Sequence, residues 1–95
     1  MRSGDEQEEK MEKRVAMLAI VIEDNERTEE LNHVLHEYSE YIIGRLGLPY
    51  RDRSISLISI AIDGPADAIS ALSGKLGQIP GVSAKAVYAK LPEDA

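Results

Sequence analysis

The chain has no cysteine, no tryptophan and no phenylalanine. The first absence excludes disulfides and thiolate metal sites. The other two leave four tyrosines as the whole aromatic complement, which argues against stacking platforms for bases or sugars. Basic charge is scarce too. Eleven Lys and Arg stand against seventeen Asp and Glu, a net charge of −6, and phosphates repel an acidic surface. Direct DNA binding is therefore not expected. No apolar run approaches the length of a membrane span, and residues 1–10 lack the apolar core of a signal peptide. The expected setting is cytoplasmic, with no membrane contact.

What is present fits one domain of 95 residues, small enough that self-association often adds stability. Residues 1–12 are highly charged with little to bury and read as a disordered acidic tail. A folded domain is expected over 13–91, followed by a tail at 92–95.

Two segments within that domain read alike. Residues 15–24 and 55–64 are each an apolar run that breaks at an acidic residue and a turn, then continues into a helical pattern. The first strand, 14–23, places Val15, Met17, Ala19 and Val21 on one face and Ala16, Leu18, Ile20 and Ile22 on the other. Both faces are apolar, the mark of a central strand. Asp24 and Asn25 are good N-caps for a helix over about 25–40, with Leu31, Val34, Leu35, Tyr38 and Ile42 at helical spacing.

A second strand over 41–48 is weakened by Gly44 and Gly47, which suits an edge or bulged position, and Pro49 is expected to end it. The third strand, 54–63, is apolar on both faces, with Ile55, Leu57, Ser59 and Ala61 on one side. A helix then starts at Gly64 and Pro65, with proline at its first position. Its stripe is Ile69, Leu72, Leu76 and Ile79. Gly74 and Gly77 inside it suggest close backbone packing. Residues 82–89 form the last strand.

The order βαββαβ is the ferredoxin-like α+β plan: a two-layer sandwich of a four-stranded antiparallel sheet and two helices on one face. Nothing in the chain covers the other face, yet both central strands are apolar there. Exposed patches of this kind usually mark interaction surfaces. The expected cover is another copy of the sheet, giving a dimer or tetramer, and the candidate interface residues are Val15, Met17, Ala19, Val21, Ile55 and Leu57.

Candidate chemistry is thin. His33 and His36 share a helical face but are flanked by Glu29, Glu30, Glu37 and Glu40, and read as a solvated pair rather than metal ligands. Residues 73–77 superficially resemble a phosphate loop, but lie late in a helix and lack the upstream glycine. Ser39, Ser59 and Ser73 have no histidine-plus-acid partners, so nucleophilic catalysis has no support. No cofactor and no metal is expected. Arg45, Arg51 and Arg53 concentrate positive charge near the second strand. With Tyr50 they form a candidate surface for a small molecule or a protein partner, against the alternative that they protect a sheet edge.

Residues 12–14 leading into 20–24, then 35–40, 45–49 and above all 71–82, resemble the small stand-alone iron-only hydrogenase system regulators. That family is similar to the ACT domain and to the C-terminal sensor domain of the nickel-responsive repressor NikR. The resemblance covers nearly everything after residue 11. It implies a regulatory, self-associating ferredoxin-like module rather than an enzyme. Leu48, Tyr50 and Ser56 stand where the nickel sensors carry ligating His and Cys, so a square-planar nickel site, which needs such donors, is not expected. The tail before residue 12 is too short and acidic to replace a ribbon-helix-helix DNA-binding segment. ACT domains often carry a glycine at the first strand–helix turn to admit an amino acid, and here that turn is Glu23, Asp24 and Asn25.

Three functions follow in order: a ligand-sensing or partner-docking regulatory module, a structural accessory subunit without ligand, and a small dimeric α+β barrel-type enzyme. A cleft beside Arg45–Arg53 favours the first, a packed interface the second, and a His- or carboxylate-lined cavity the third.

Overall fold

The computed structural model describes residues 13–90, and the two expected tails lie outside them. The first strand, β1, spans Lys13–Ile22. A 3-10 turn at Asn25–Arg27 leads into α1, Thr28–Glu37. A second 3-10 turn, Ser39–Tyr41, precedes β2, Ile42–Tyr50. A third, Arg51–Arg53, turns the chain into β3, Ile55–Pro65. Helix α2, Ala66–Gly77, and strand β4, Val82–Tyr88, complete the domain. The strands form one antiparallel sheet in the order β2-β3-β1-β4. This is the expected ferredoxin-like sandwich, with β1 and β3 central and adjacent.

One face of the sheet carries the core. Alternation sends Leu18, Ile20 and Ile22 of β1 and Ile60 and Ile62 of β3 to the same side, where Leu31 and Leu35 of α1 and Ile69, Leu72 and Leu76 of α2 meet them. Each such side chain contributes about 1.5–3 kcal/mol by leaving water. No polar or charged side chain is buried among the described residues. No described helix is long and apolar enough to cross a membrane.

Four local expectations are corrected. The helix expected over about 25–40 is three pieces, and Ile42 opens β2 instead of ending the helical stripe. Asp24 accepts a bond from the Glu26 amide at 3.1 Å, which holds a tight turn before the α-helix proper. Pro49 does not end the second strand: it pairs with Ser56, and β2 runs on to Tyr50. The strand lies on the sheet edge, where a missing N–H need not break the ladder. Pro65 closes β3 with extended backbone, φ −60° and ψ 143°, and serves as the N-cap of α2 rather than its first residue. Gly74 and Gly77 are not packed closely at all. A Cβ at either would meet nothing within 4 Å, because α2 buries its Ile69, Leu72 and Leu76 stripe elsewhere on its surface.

The edge character of β2 is as expected, with a bulge between Ile42 and Gly44. At its far end Ser54 takes the left-handed conformation, φ 58°. Asn25 clasps this turn to the start of the helical segment. Its amide donates to the Ser54 carbonyl at 3.2 Å, and its oxygen accepts from the Ser56 hydroxyl at 3.1 Å.

Candidate interaction face

The sheet face opposite the helices is assembled by register. In β1 the residues alternating with the core set are Val15, Met17, Ala19 and Val21. Met17 sits beside Ala61, Ala19 beside Ser59 and Val21 beside Leu57. On the outer side of β3, Leu46 of β2 pairs with Ser59, Leu48 with Leu57 and Tyr50 with Ile55. On the outer side of β1, Val87 of β4 pairs with Met17. All the expected interface residues therefore share this face. Three further ones, Leu46, Leu48 and Val87, lie outside that expectation, and they are large hydrophobic side chains well exposed to solvent, at 71%, 56% and 66%. The signal was available in Leu46, Leu48 and Tyr50, which recur at the two-residue period of a strand.

The face is not flat. A depression of about 220 Å³ is lined by Ala19, Val21, Leu46, Leu48, Leu57 and Ser59. Its floor is small, from the paired Ala19 and Ser59, and its rim on the β2 side is a ridge of leucines. A second depression of about 180 Å³ lies at the other corner, against Val15, Met17 and Val87. Between the ends of the sheet, the alternating positions carry one charge, Lys85, in register with Ala19. Lys13 and Asp63 mark one end of the face.

The arginines divide. Arg45 pairs in register with the buried Ile60 and donates to Asn32 of α1 at 2.6 Å, so it reaches the helix layer. Tyr50 lies on the open face, and Arg51 and Arg53 flank Asp52 in the exposed 3-10 turn at the hairpin tip. The structure thus brings Tyr50, Arg51 and Arg53 together at one end of the hairpin and sends Arg45 to the other side of the sheet. Leu48 and Tyr50 also part from Ser56, whose hydroxyl is held by Asn25.

Ionisable groups with shifted behaviour lie on the helix side. The Tyr38 side chain and the Glu37 carboxylate hold the Lys75 ammonium above its ordinary range, with Lys75 Nζ 3.4 Å from Glu37 Oε1. The hydrogen bond and charge of Glu40 raise the Tyr41 phenol. His33 Nε2 stands 3.8 Å from Glu37 Oε2, with its side chain largely in solvent. Among the described residues no group of three His, Cys, Asp or Glu could hold a metal ion.

Residues 14–86 match a family model described as "TM1266-like: Iron-only hydrogenase system regulator, putative". The solved structure of uncharacterized protein TM1266 from Thermotoga maritima is 41% identical, with a TM-score of 0.80, and the match covers 83% of this chain and 100% of that one. Curated relatives from Saccharolobus islandicus, named "Putative nickel-responsive regulator", are 32% identical over 78 residues. That match covers 82% of this chain and 58% of theirs, so the chain spans little more than half their length. A formyltetrahydrofolate deformylase from Pseudomonas putida KT2440 matches with a TM-score of 0.59 at 15% identity, over 80% of this chain and 29% of that one. That likeness shows the fold alone.

Proposed function

Because the chain belongs to the TM1266-like family, described as regulators of the iron-only hydrogenase system, we propose that it is a non-catalytic regulatory module that acts by association. The observation that carries this reading is the uncovered apolar face, joined to the family match. A sheet whose helix-free side presents Leu46, Leu48 and Val87 to solvent is suited to contact, not to reaction. General acid–base or nucleophilic catalysis asks for convergent titratable groups in a cleft. Here the depressions are lined by apolar side chains with one serine, Ser59, and one tyrosine, Tyr88, and no two titratable groups converge in either.

Action on transcription, in this reading, passes through a partner. The net charge of −6 opposes the many phosphate contacts on which specific DNA binding rests. The exposed arginines at the hairpin tip offer a docking point for an acidic group on such a partner.

The test is genetic and biochemical together. In the organism that encodes the chain, deletion should change the transcript levels of iron-only hydrogenase genes, and a plasmid copy should restore them. Purified protein should give no mobility shift with its own promoter DNA at physiological salt. Unchanged transcripts would remove the hydrogenase link. A sequence-specific shift lost on replacing Arg45, Arg51 and Arg53 would make the chain a direct DNA binder instead.

A further inference from the structure

We propose that the outer edge of β4 accepts an extended, carboxylate-bearing segment of a partner protein, which pairs with it as an added strand. The inference rests on the reading that the module acts through a protein partner, and it names where and by what chemistry that partner docks.

Backbone direction is the first argument. The Ala89 amide donates to the Val15 carbonyl at 2.8 Å and the Glu23 amide to the Gly81 carbonyl at 2.6 Å. Both pairs continue the β1–β4 register, one at each end. Hydrogen-bonded pairs alternate along an antiparallel ladder, so Ser83, Lys85 and Val87 direct their N–H and C=O groups toward β1. Ala84, Ala86 and Tyr88 direct theirs outward, and β4 is the last strand of the sheet. Donors and acceptors at this two-residue period match an extended chain, the basis of recognition by strand addition.

The two edges of the sheet differ. The same alternation, carried through β3, turns Arg45, Gly47 and Pro49 of β2 outward. Pro49 has no N–H to offer there, a bulge interrupts Ile42/Gly44, and Arg45 is tied to Asn32 at 2.6 Å. These devices close an edge to newcomers. Strand β4 has no proline and no glycine over Val82–Tyr88, and its register runs unbroken. Among the described strands it alone offers an uninterrupted edge.

Charge selects the occupant. Residues 79–90 hold Lys85 and Lys90 and no carboxylate, in a chain of net charge −6. The Arg14 guanidinium adds a cation at the end of this edge, 4.6 Å from the centre of the Tyr88 ring. In an antiparallel newcomer the residue facing Lys85 forms a non-hydrogen-bonded pair, where side chains lie closest. A carboxylate there complements the lysine. A second β4 has none to place opposite it, and a lysine at mid-edge guards against such self-pairing. On the helix side Ala84 and Ala86 pack partly against the core, so the newcomer's residues beside them are apolar.

The probe is the capped peptide Glu-Thr-Val-Glu-Val-Thr-Thr, whose central glutamate faces Lys85 in an antiparallel register, added at millimolar concentration to the full chain. Amide hydrogen exchange is followed residue by residue by NMR. In free protein the Ala84, Ala86 and Tyr88 amides should exchange much faster than those of Lys85 and Val87. The peptide should slow Ala84 and Ala86 about tenfold or more and leave Arg45 and Gly47 unchanged. A peptide N-methylated at its two valines, whose amides would point at β4, should protect neither. One with lysine for both glutamates should bind more weakly. Ala86→Pro removes an outward N–H at a position like that of Pro49, and should keep the circular dichroism and lose the response.

No protection at saturating peptide would overturn the inference, as would equal protection by the N-methylated or the lysine peptide. Protection already present without peptide would also overturn it: growth with protein concentration would assign the edge to a second copy, and release on deleting residues 1–12 would assign it to the chain's own acidic segment. If the proline variant does not fold, the N-methylated peptide decides. None of these readouts involves transcripts, so the regulatory reading and this one fail separately.

Discussion

The ring of Tyr41 lies against the backbone of Gly64. A Cβ built at position 64 would stand 2.8 Å from Tyr41 Cδ1 and 2.9 Å from Cγ. Gly64, the last residue but one of β3, is buried, and Tyr41 packs against the core from the turn before β2. The glycine is what lets the tyrosine roof this end of the sheet. Gly64→Ala should therefore cost about 1–3 kcal/mol by overpacking. In a Tyr41→Ala background the same change should cost much less. Urea unfolding of the four proteins in the cycle measures the coupling, which is expected at about 1 kcal/mol or more. Additive effects would show that the ring yields freely.

Gly81 is required for a different reason. Its φ is +78°, and a Cβ there would lie 2.7 Å from Asp24 Cβ and 3.2 Å from the Asp24 amide nitrogen. Its carbonyl accepts from the Glu23 amide at 2.6 Å, tying the end of β1 to the loop before β4. Gly81→Ala should cost at least about 1–2 kcal/mol from the left-handed backbone alone. Gly74→Ala should do the opposite. With open space at that position, a mid-helix alanine should gain about 0.5–1 kcal/mol over glycine. Denaturant midpoints should move in these two directions with unchanged slopes.

Two groups should make stability fall at alkaline pH. Tyr38 and Glu37 raise the Lys75 pKa, and Glu40 raises the Tyr41 pKa. In both cases the folded chain holds the proton more tightly than the unfolded chain does. The stabilisation is thus complete below the ordinary values, 10.5 for the lysine and 10.0 for the tyrosine, and is lost as pH rises through the raised folded values. Urea midpoints should be insensitive to these two groups up to about pH 9 and should fall beyond it. Lys75→Met should flatten part of that fall, and salt should reduce it, since both groups are solvent-screened. A Lys75→Met profile parallel to wild type up to pH 11.5 would contradict this.

Nickel should bind weakly. Leu48 and Tyr50 face one way and Ser56 the other, where Asn25 holds its hydroxyl. None of the three supplies the nitrogen or sulfur donors that a square-planar site uses. His33 is largely exposed beside Glu37, so the histidine pair should show only loose, salt-sensitive affinity. Calorimetry with nickel or zinc should give no stoichiometric sub-micromolar binding. Tight binding lost in a His33→Ala, His36→Ala variant would refute the expectation.

Much of the fold was legible because its signals are local. Strands with two apolar faces identified β1 and β3 as central, and Ile69, Leu72 and Leu76 marked the buried stripe of α2, as found. The errors came where neighbours decide. Pro49 reads as a stop until Ser56 is seen opposite it on an edge strand. Gly74 and Gly77 read as contact points until α2 is seen to turn them toward open space. At the candidate face, Leu46 and Leu48 were placed in a strand but not on the surface they dominate. In the sequence the arginines look like one cluster, but pairing sends Arg45 toward Asn32 and leaves Arg51 and Arg53 at the hairpin tip.

By itself the sequence determined which residues alternate and which recur every third or fourth position, because side-chain direction in a strand or helix follows from backbone geometry alone. From that came the βαββαβ order and two apolar sets on each central strand. It did not determine which set the helices would cover. Only the tertiary structure decided that Ala16, Leu18, Ile20 and Ile22 go inward while Val15, Met17, Ala19 and Val21 stay on the open side. Helix docking rewards the side that presents the larger close-packed volume, here a leucine and two isoleucines with one alanine, against two valines, an alanine and a methionine opposite. The small residues left behind, flanked by the leucines of β2, are what hollow the open face into a surface another molecule can fill.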